Sequence, residues 1–102
     1  MFEYKVLREI EKNPSHTQRS LASSLDVSVG KVNYMIAGLV EKGIIKARRL
    51  KNDPRKIRWQ YILTPKGIRE KVRITRSYLR QRLQEYKKLQ EEITLLKEEI
   101  QS

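Results

Sequence analysis

The chain has 102 residues, room for one small domain and an extension, and its net charge of +11 with a pI near 10.1 points to a polyanionic partner, nucleic acid ahead of an anionic membrane surface. It has no cysteine and a single histidine, which excludes disulfides, thiolate metal sites and multi-histidine metal sites and fits a reducing, cytoplasmic setting. No apolar run approaches the roughly 18 residues of a membrane span, no signal-peptide pattern follows Met1, and no catalytic constellation can be assembled, so no enzyme, membrane protein, metal site or cofactor is expected.

Phe2 to Lys12 reads as a first helix, with Val6, Leu7 and Ile10 at inward spacing. Asn13-Pro14-Ser15-His16 ends it, because proline disfavours helix in the residue before it, and His16 is read as a turn residue. Thr17 can cap a second helix in which Leu21, Ala22 and Leu25 form an apolar stripe, the small Ala22 allowing a close helix crossing. Asp26 comes next, a short polar residue that tolerates left-handed backbone angles, and Val27 plugs the corner. Ser28 is a natural N-cap for a third helix with Val32, Met35, Ile36 and Leu39 facing inward, which runs to Glu41 or Lys42 and stops at Gly43. Two helices around so tight a turn form the helix-turn-helix pattern, which presents its second helix to the DNA major groove. An ordinary helical hairpin would share this spacing, but the strand-like runs and basic residues downstream of Gly43 weigh against it.

Ile44 to Leu50 and Ile57 to Leu63 flank the polar turn Lys51-Asn52-Asp53-Pro54-Arg55-Lys56. The second run alternates Ile57, Trp59, Tyr61 and Leu63 against Arg58 and Gln60, the period-2 mark of a half-buried strand. Trp59 and Tyr61 are therefore expected to pack a β-hairpin onto the helices. Three helices and a hairpin make a winged helix. Thr64 then serves as N-cap and Pro65 as the first residue of a last helix, where its missing N–H costs nothing. That helix runs to about Gln101 and, at about 1.5 Å per residue, would exceed roughly 50 Å, too long to fold back on so small a domain. The expected fold is mainly α (α+β), a winged helix-turn-helix over residues 1–64 followed by a long dimerisation helix over 65–102, coiled-coil from about 79.

Leu79, Tyr86, Ile93 and Ile100 recur every seven residues, Leu89 and Leu96 fill d-type positions between them, and Leu83 flanks the stripe. With a at 79, 86, 93 and 100, Glu85, Glu92 and Glu99 fall at g, and Gln90 and Lys97 at e. A parallel homodimer then sets Glu92 against Lys97, whereas an antiparallel one stacks glutamates at g, so the parallel pair is favoured despite Arg82 at a d position. A surface helix packed on its own domain is the alternative.

Charge is segregated along the chain. Residues 1–41 have a net charge of 0, residues 42–84 hold fifteen basic and two acidic residues for a net of +13, and residues 85–102 have a net of −2. Solubility is better served by interspersed charges. A face built to meet phosphates produces this pattern.

Gly43-Ile44-Ile45-Lys46-Ala47-Arg48, Asp53-Pro54-Arg55 and Tyr61-Ile62-Leu63-Thr64-Pro65-Lys66-Gly67 resemble the "GLI-x-R … D-x-R … Y-x-LT-x-x-G" run of MarR-type winged-helix regulators. The resemblance covers about Thr17 to Gly67. Length and the coiled-coil tail are most similar to the short MarR-like regulators associated with exopolysaccharide gene clusters. In that family the third helix enters the major groove and a wing arginine reaches the minor groove. The resemblance thus implies Ser28, Lys31, Asn33 and Tyr34 as groove-helix contacts and Arg55 as the wing contact. Full-length relatives dimerise through helices at both ends around a phenolic-ligand pocket. This chain has no counterpart of the N-terminal one, so no small-molecule ligand is expected.

The residues carry their own arguments beside the resemblance. Asn33 and Tyr34 point away from the Val32/Met35/Ile36 stripe, so they are either solvated or in contact with DNA, Asn pairing bidentately with adenine and Tyr bonding phosphate. Lys31 suits phosphate better than a base edge. Lys51, Asn52, Arg55 and Lys56 are the wing candidates, with Asp53 placed to orient Arg55 by a charge-assisted hydrogen bond. Arg69, Arg73, Arg76 and Arg80 share a helical face, either a phosphate rail or a solvated shoulder, and Thr17, Arg49, Arg69, Arg73 and Arg76 are candidate phosphate contacts. The dimerisation set is Leu79, Leu83, Tyr86, Leu89, Ile93, Leu96 and Ile100. The function expected is a homodimeric, sequence-specific regulator of transcription on double-stranded DNA, read as a repressor. A sequence-independent architectural DNA-binding protein and a protein-interaction module built on a winged helix are the alternatives.

Overall fold

The computed structural model describes residues 2–50 and 58–101. In chain order the elements are α1 (Phe2–Lys12), α2 (Gln18–Leu25), α3 (Val29–Glu41), β1 (Ile45–Leu50), β2 (Arg58–Leu63) and α4 (Pro65–Gln101). Two compact units are present, Met1–Val72 and Arg73–Ser102, with the division inside α4.

In the first unit each helix boundary has an identifiable chemical cause. Glu3 in the first turn and Lys12 in the last turn of α1 both oppose the helix dipole. Thr17 caps α2 through a reciprocal pair: its Oγ1 accepts from Ser20 N (3.0 Å), and its own N donates to Ser20 Oγ (2.8 Å). Asp26 takes the left-handed conformation expected of it (φ 54°, ψ 50°), and Val27 N donates back to Ala22 O at 3.0 Å, closing the turn. Ser28 Oγ accepts from Lys31 N (3.1 Å) and starts α3. Gly43 ends it at φ 74°, with Gly43 N on Val40 O (3.0 Å) and Ile44 N on Leu39 O (2.9 Å), the Schellman pairing.

β1 and β2 pair antiparallel from Ile45↔Leu63 to Leu50↔Arg58. The core of the first unit is built from α1 (Val6, Leu7, Ile10), α2 (Leu21, Ala22), α3 (Val32, Ile36, Leu39), Ile44 just before the sheet, and the sheet itself (Ile45, Tyr61). The inward stripes on α1, α2 and α3 are as the spacing predicts, except that Leu25 in α2 and Met35 in α3 are half-buried. Trp59 departs from expectation. It shares the face of Tyr61 by strand alternation, yet it is 50% exposed while Tyr61 is buried, because the core covers that face only as far as Tyr61. His16 is the turn residue expected, its N donating to Asn13 O (3.2 Å), and it is also buried, with Nδ1 2.7 Å from Ser20 Oγ and Nε2 3.3 Å from Glu9 Oε2, joining α1 to the cap of α2.

The start of α4 is clamped to the start of β1. Thr64 N donates to Ile44 O (3.1 Å), the Thr64 hydroxyl donates to Gly43 O (2.5 Å) and accepts from Gly67 N (3.0 Å), and Lys66 Nζ donates to Lys42 O (2.8 Å). Gly67 is required by this approach, since a Cβ there would overlap the Ile44 carbonyl oxygen and lie 2.9 Å from its carbon. The second unit is the remainder of α4, helical to Gln101.

Candidate nucleic-acid interface

α3 buries one side and opens the other. Val32, Ile36 and Leu39 are fixed in the core, which by helical periodicity leaves Ser28, Lys31, Asn33 and Tyr34 in the open, all exposed and Tyr34 by 83%. Their side chains are not equivalent. Ser28 Oγ is occupied as the N-cap acceptor. Lys31 holds its Nζ 4.5 Å above the centroid of the Phe2 ring, a cation–π contact that ties the charge to α1 without burying it. Asn33 Nδ2 donates to Gln18 Oε1 (3.0 Å), and Gln18 Nε2 in turn donates to Tyr61 Oη (3.3 Å). Sequence reasoning does not find Gln18 or the Tyr61 hydroxyl, because the partners lie 15 and 43 residues apart and no periodicity connects them.

The remaining candidates divide by location. Lys51, Asn52, Arg55 and Lys56, and with them Asp53, lie outside the described residues. Thr17 is exposed with its hydroxyl engaged in the cap. Arg49 is exposed opposite Trp59 in the sheet register, and its neighbour Arg48 donates from Nη2 to Gln60 Oε1 at 2.6 Å. Arg69 is exposed on the first unit.

In the second unit Arg73 and Arg76 are exposed. So are the stripe residues Leu79, Leu83, Tyr86, Leu89, Ile93, Leu96 and Ile100, from 43% at Ile93 to 85% at Ile100. Arg82 Nη1 donates to Glu85 Oε2 at 2.8 Å within the helix. Among the described residues no helix is long and apolar enough to cross a membrane, and no cluster of His, Cys, Asp or Glu could hold a metal ion.

Comparison with known proteins agrees with this geometry. Residues 2–46 match the family model of winged helix-turn-helix DNA-binding domains. An uncharacterised protein of Methanocaldococcus jannaschii, MJ0558, is 35% identical over 69 residues, covering 67% of this chain and 23% of that protein. FabT of Streptococcus pneumoniae, solved in complex with DNA, superposes with a TM-score of 0.63 at 25% identity, over 83% of this chain and 57% of FabT. A mutant MarR of E. coli complexed with operator DNA gives 0.56 at 30% identity, over 66% of this chain and 46% of MarR. The transcriptional regulator SlyA gives 0.67 at 23% identity, a likeness of fold, over 79% of this chain and 56% of SlyA. The chain thus spans less than a quarter of the curated relative and about half of each of these regulators. Residues 2–46 thus match the winged helix-turn-helix DNA-binding model, and the chain has the fold seen in the MarR-type transcription regulators.

Proposed function

We propose that this chain is a sequence-specific regulator of transcription that binds double-stranded DNA as a homodimer and represses the genes it binds, in the cytoplasm. The observation that carries the reading is the two-sidedness of α3: an apolar face sunk in the core and, opposite it, Lys31, Asn33 and Tyr34 exposed to solvent. Structural relatives solved with DNA, FabT and MarR among them, support a major-groove role for that face. Lys31, Thr17, Arg49, Arg69, Arg73 and Arg76 act on phosphates, Asn33 and Tyr34 on the groove, and Lys51, Asn52, Arg55 and Lys56 form the wing contact. Residues 1–64 are the DNA-binding part and 65–102 the dimerisation helix. Leu79 to Ile100 supply the seam of a parallel coiled coil, the orientation that pairs Glu92 with Lys97. Arg82, which that pairing brings near its own copy, has its charge offset by Glu85 of the same chain.

A sequence-independent coating role draws support from the +13 concentrated in residues 42–84. Selection from a random-sequence duplex library and subsequent competition titration separate the two. A regulator prefers its selected duplex by on the order of a thousandfold or more over random DNA, and a coating protein shows little preference. Asn33→Ala should then lower that ratio and leave random-DNA binding unchanged; an unchanged ratio removes Asn33 from the groove.

A further inference from the structure

The side chain assigned to base reading does not stand alone. A bidentate contact to adenine needs one Asn edge to present Oδ1 as acceptor and an Nδ2–H as donor together. On a free asparagine χ2 is soft and roughly two-fold, so the amide samples both faces and its oxygen and nitrogen exchange places. Asn33 is exposed, and nothing in its own helix would hold it. What holds it comes from two other elements. One Nδ2 hydrogen is committed to Gln18 Oε1 at 3.0 Å, and the Gln18 amide is engaged at its other end by the Tyr61 hydroxyl at 3.3 Å. Gln18 itself sits at the first position of α2, directly after the Thr17 cap, and Tyr61 is buried in β2. Tyr61 is therefore anchored in the core and the half-buried Gln18 at a capped helix start, while the tip of Asn33 stays in the open. After the bond to Gln18, Asn33 retains Oδ1 and one Nδ2–H, the set an adenine edge requires.

We propose that Gln18 and Tyr61 are positioning residues that pre-set the Asn33 amide for base recognition, through the relay Tyr61 Oη–Gln18–Asn33. This rests on the reading of Asn33 as a base contact. The relay lowers the ordering cost that a free side chain incurs at the moment of binding, and it acts only where a base is read. It also ties the strand leaving the wing segment to the groove helix.

The test uses the full-length protein, a duplex selected by it from a random library, and a shuffled duplex of the same composition. Tyr61→Phe removes the hydroxyl and keeps the buried ring. It should lower the selected-to-shuffled affinity ratio by roughly three- to tenfold, leaving shuffled-duplex affinity unchanged. In an Asn33→Ala background the same substitution should change the ratio no further. Gln18→Ala should reproduce the loss with the same dependence on Asn33. A general loosening of the fold would instead weaken both duplexes, or act equally with and without Asn33, and either result overturns the relay. If Asn33→Ala lowers the ratio while Tyr61→Phe does not, the relay fails and the base-reading role stands. If Asn33→Ala itself leaves the ratio unchanged, the base-reading role fails and the relay with it.

Discussion

Replacing Gly67 by alanine sets two effects of opposite sign against each other. Gly67 lies in the first turn of α4, and alanine in a helix is favoured over glycine by at most about 1 kcal/mol. Against this, the added Cβ would occupy the space of the Ile44 carbonyl oxygen and lie 2.9 Å from the carbonyl carbon. The obstacle is backbone on both sides, so no rotamer relieves it. α4 would have to retreat from β1, stretching the Thr64 N to Ile44 O bond (3.1 Å) and the Thr64 hydroxyl bond to Gly43 O (2.5 Å). Overpacking of this kind costs up to about 3 kcal/mol, the weakened hydrogen bonds included. The clash therefore wins, and the net loss should be about 2 kcal/mol. Gly38 is the internal control: it is inside α3, and a Cβ there meets nothing within 4 Å, so Gly38→Ala should gain up to about 1 kcal/mol. Urea unfolding at fixed protein concentration, monitored by the fluorescence of the single tryptophan Trp59, reads both. With a slope of about 1–2 kcal/mol per molar, Gly67→Ala should lower the midpoint by about 1–2 M and Gly38→Ala should raise it by about 0.5 M. A Gly67→Ala midpoint at or above that of the parent would refute the argument.

Four further outcomes are expected. Removing everything after Gln84 should give a monomer by light scattering and weaken DNA binding; a monomeric full-length chain at tens of micromolar would sink the dimer. Because the chain has no cysteine, Leu79→Cys and Ile93→Cys can be oxidised separately, and a parallel pair should cross-link through either one alone, an antiparallel pair through neither. With three or four cations per subunit on phosphates, log K against log salt should slope by roughly −5 to −7, and a slope near zero would remove the electrostatic reading. Lys31→Ala and Arg55→Ala should weaken selected and random DNA alike, whereas Tyr34→Phe should cost one hydrogen bond, about 1 kcal/mol, on the duplex it contacts; competition titrations distinguish the two patterns.

The parts of the fold legible in the sequence are those with local causes. Thr17, Asp26, Ser28 and Gly43 each act through backbone groups within five residues, so the spacing alone exposes them. The apolar stripes of α1 and α3 are legible for the same reason. Trp59 is not, because strand alternation gives the face a residue shares but not how far along the strand a helix covers it. His16 is not, because its burial depends on Glu9 and Ser20 arriving from two helices. At the candidate interface the sequence singles out Lys31, Asn33 and Tyr34 by elimination, from what the core does not need. It gives no hint that Phe2 lies beneath Lys31 or that Gln18 and Tyr61 stand behind Asn33, since these pairings are created by the packing of distant elements.

The clamp between Gly43, Ile44, Thr64 and Lys66 closes the hairpin at its base, next to the Ile45↔Leu63 pair, independently of what joins the far ends of the strands. A connection between strands closed in this way can lengthen with little penalty to the rest, since doubling a loop costs only about 0.6 kcal/mol of closure entropy. The base of the hairpin is a fixed socket for whatever joins its strands. On the DNA-reading roles proposed above, descendants of this chain could exchange wing chemistry by insertion or deletion while α3 drifts by single substitutions, so that two recognition surfaces would evolve on separate clocks.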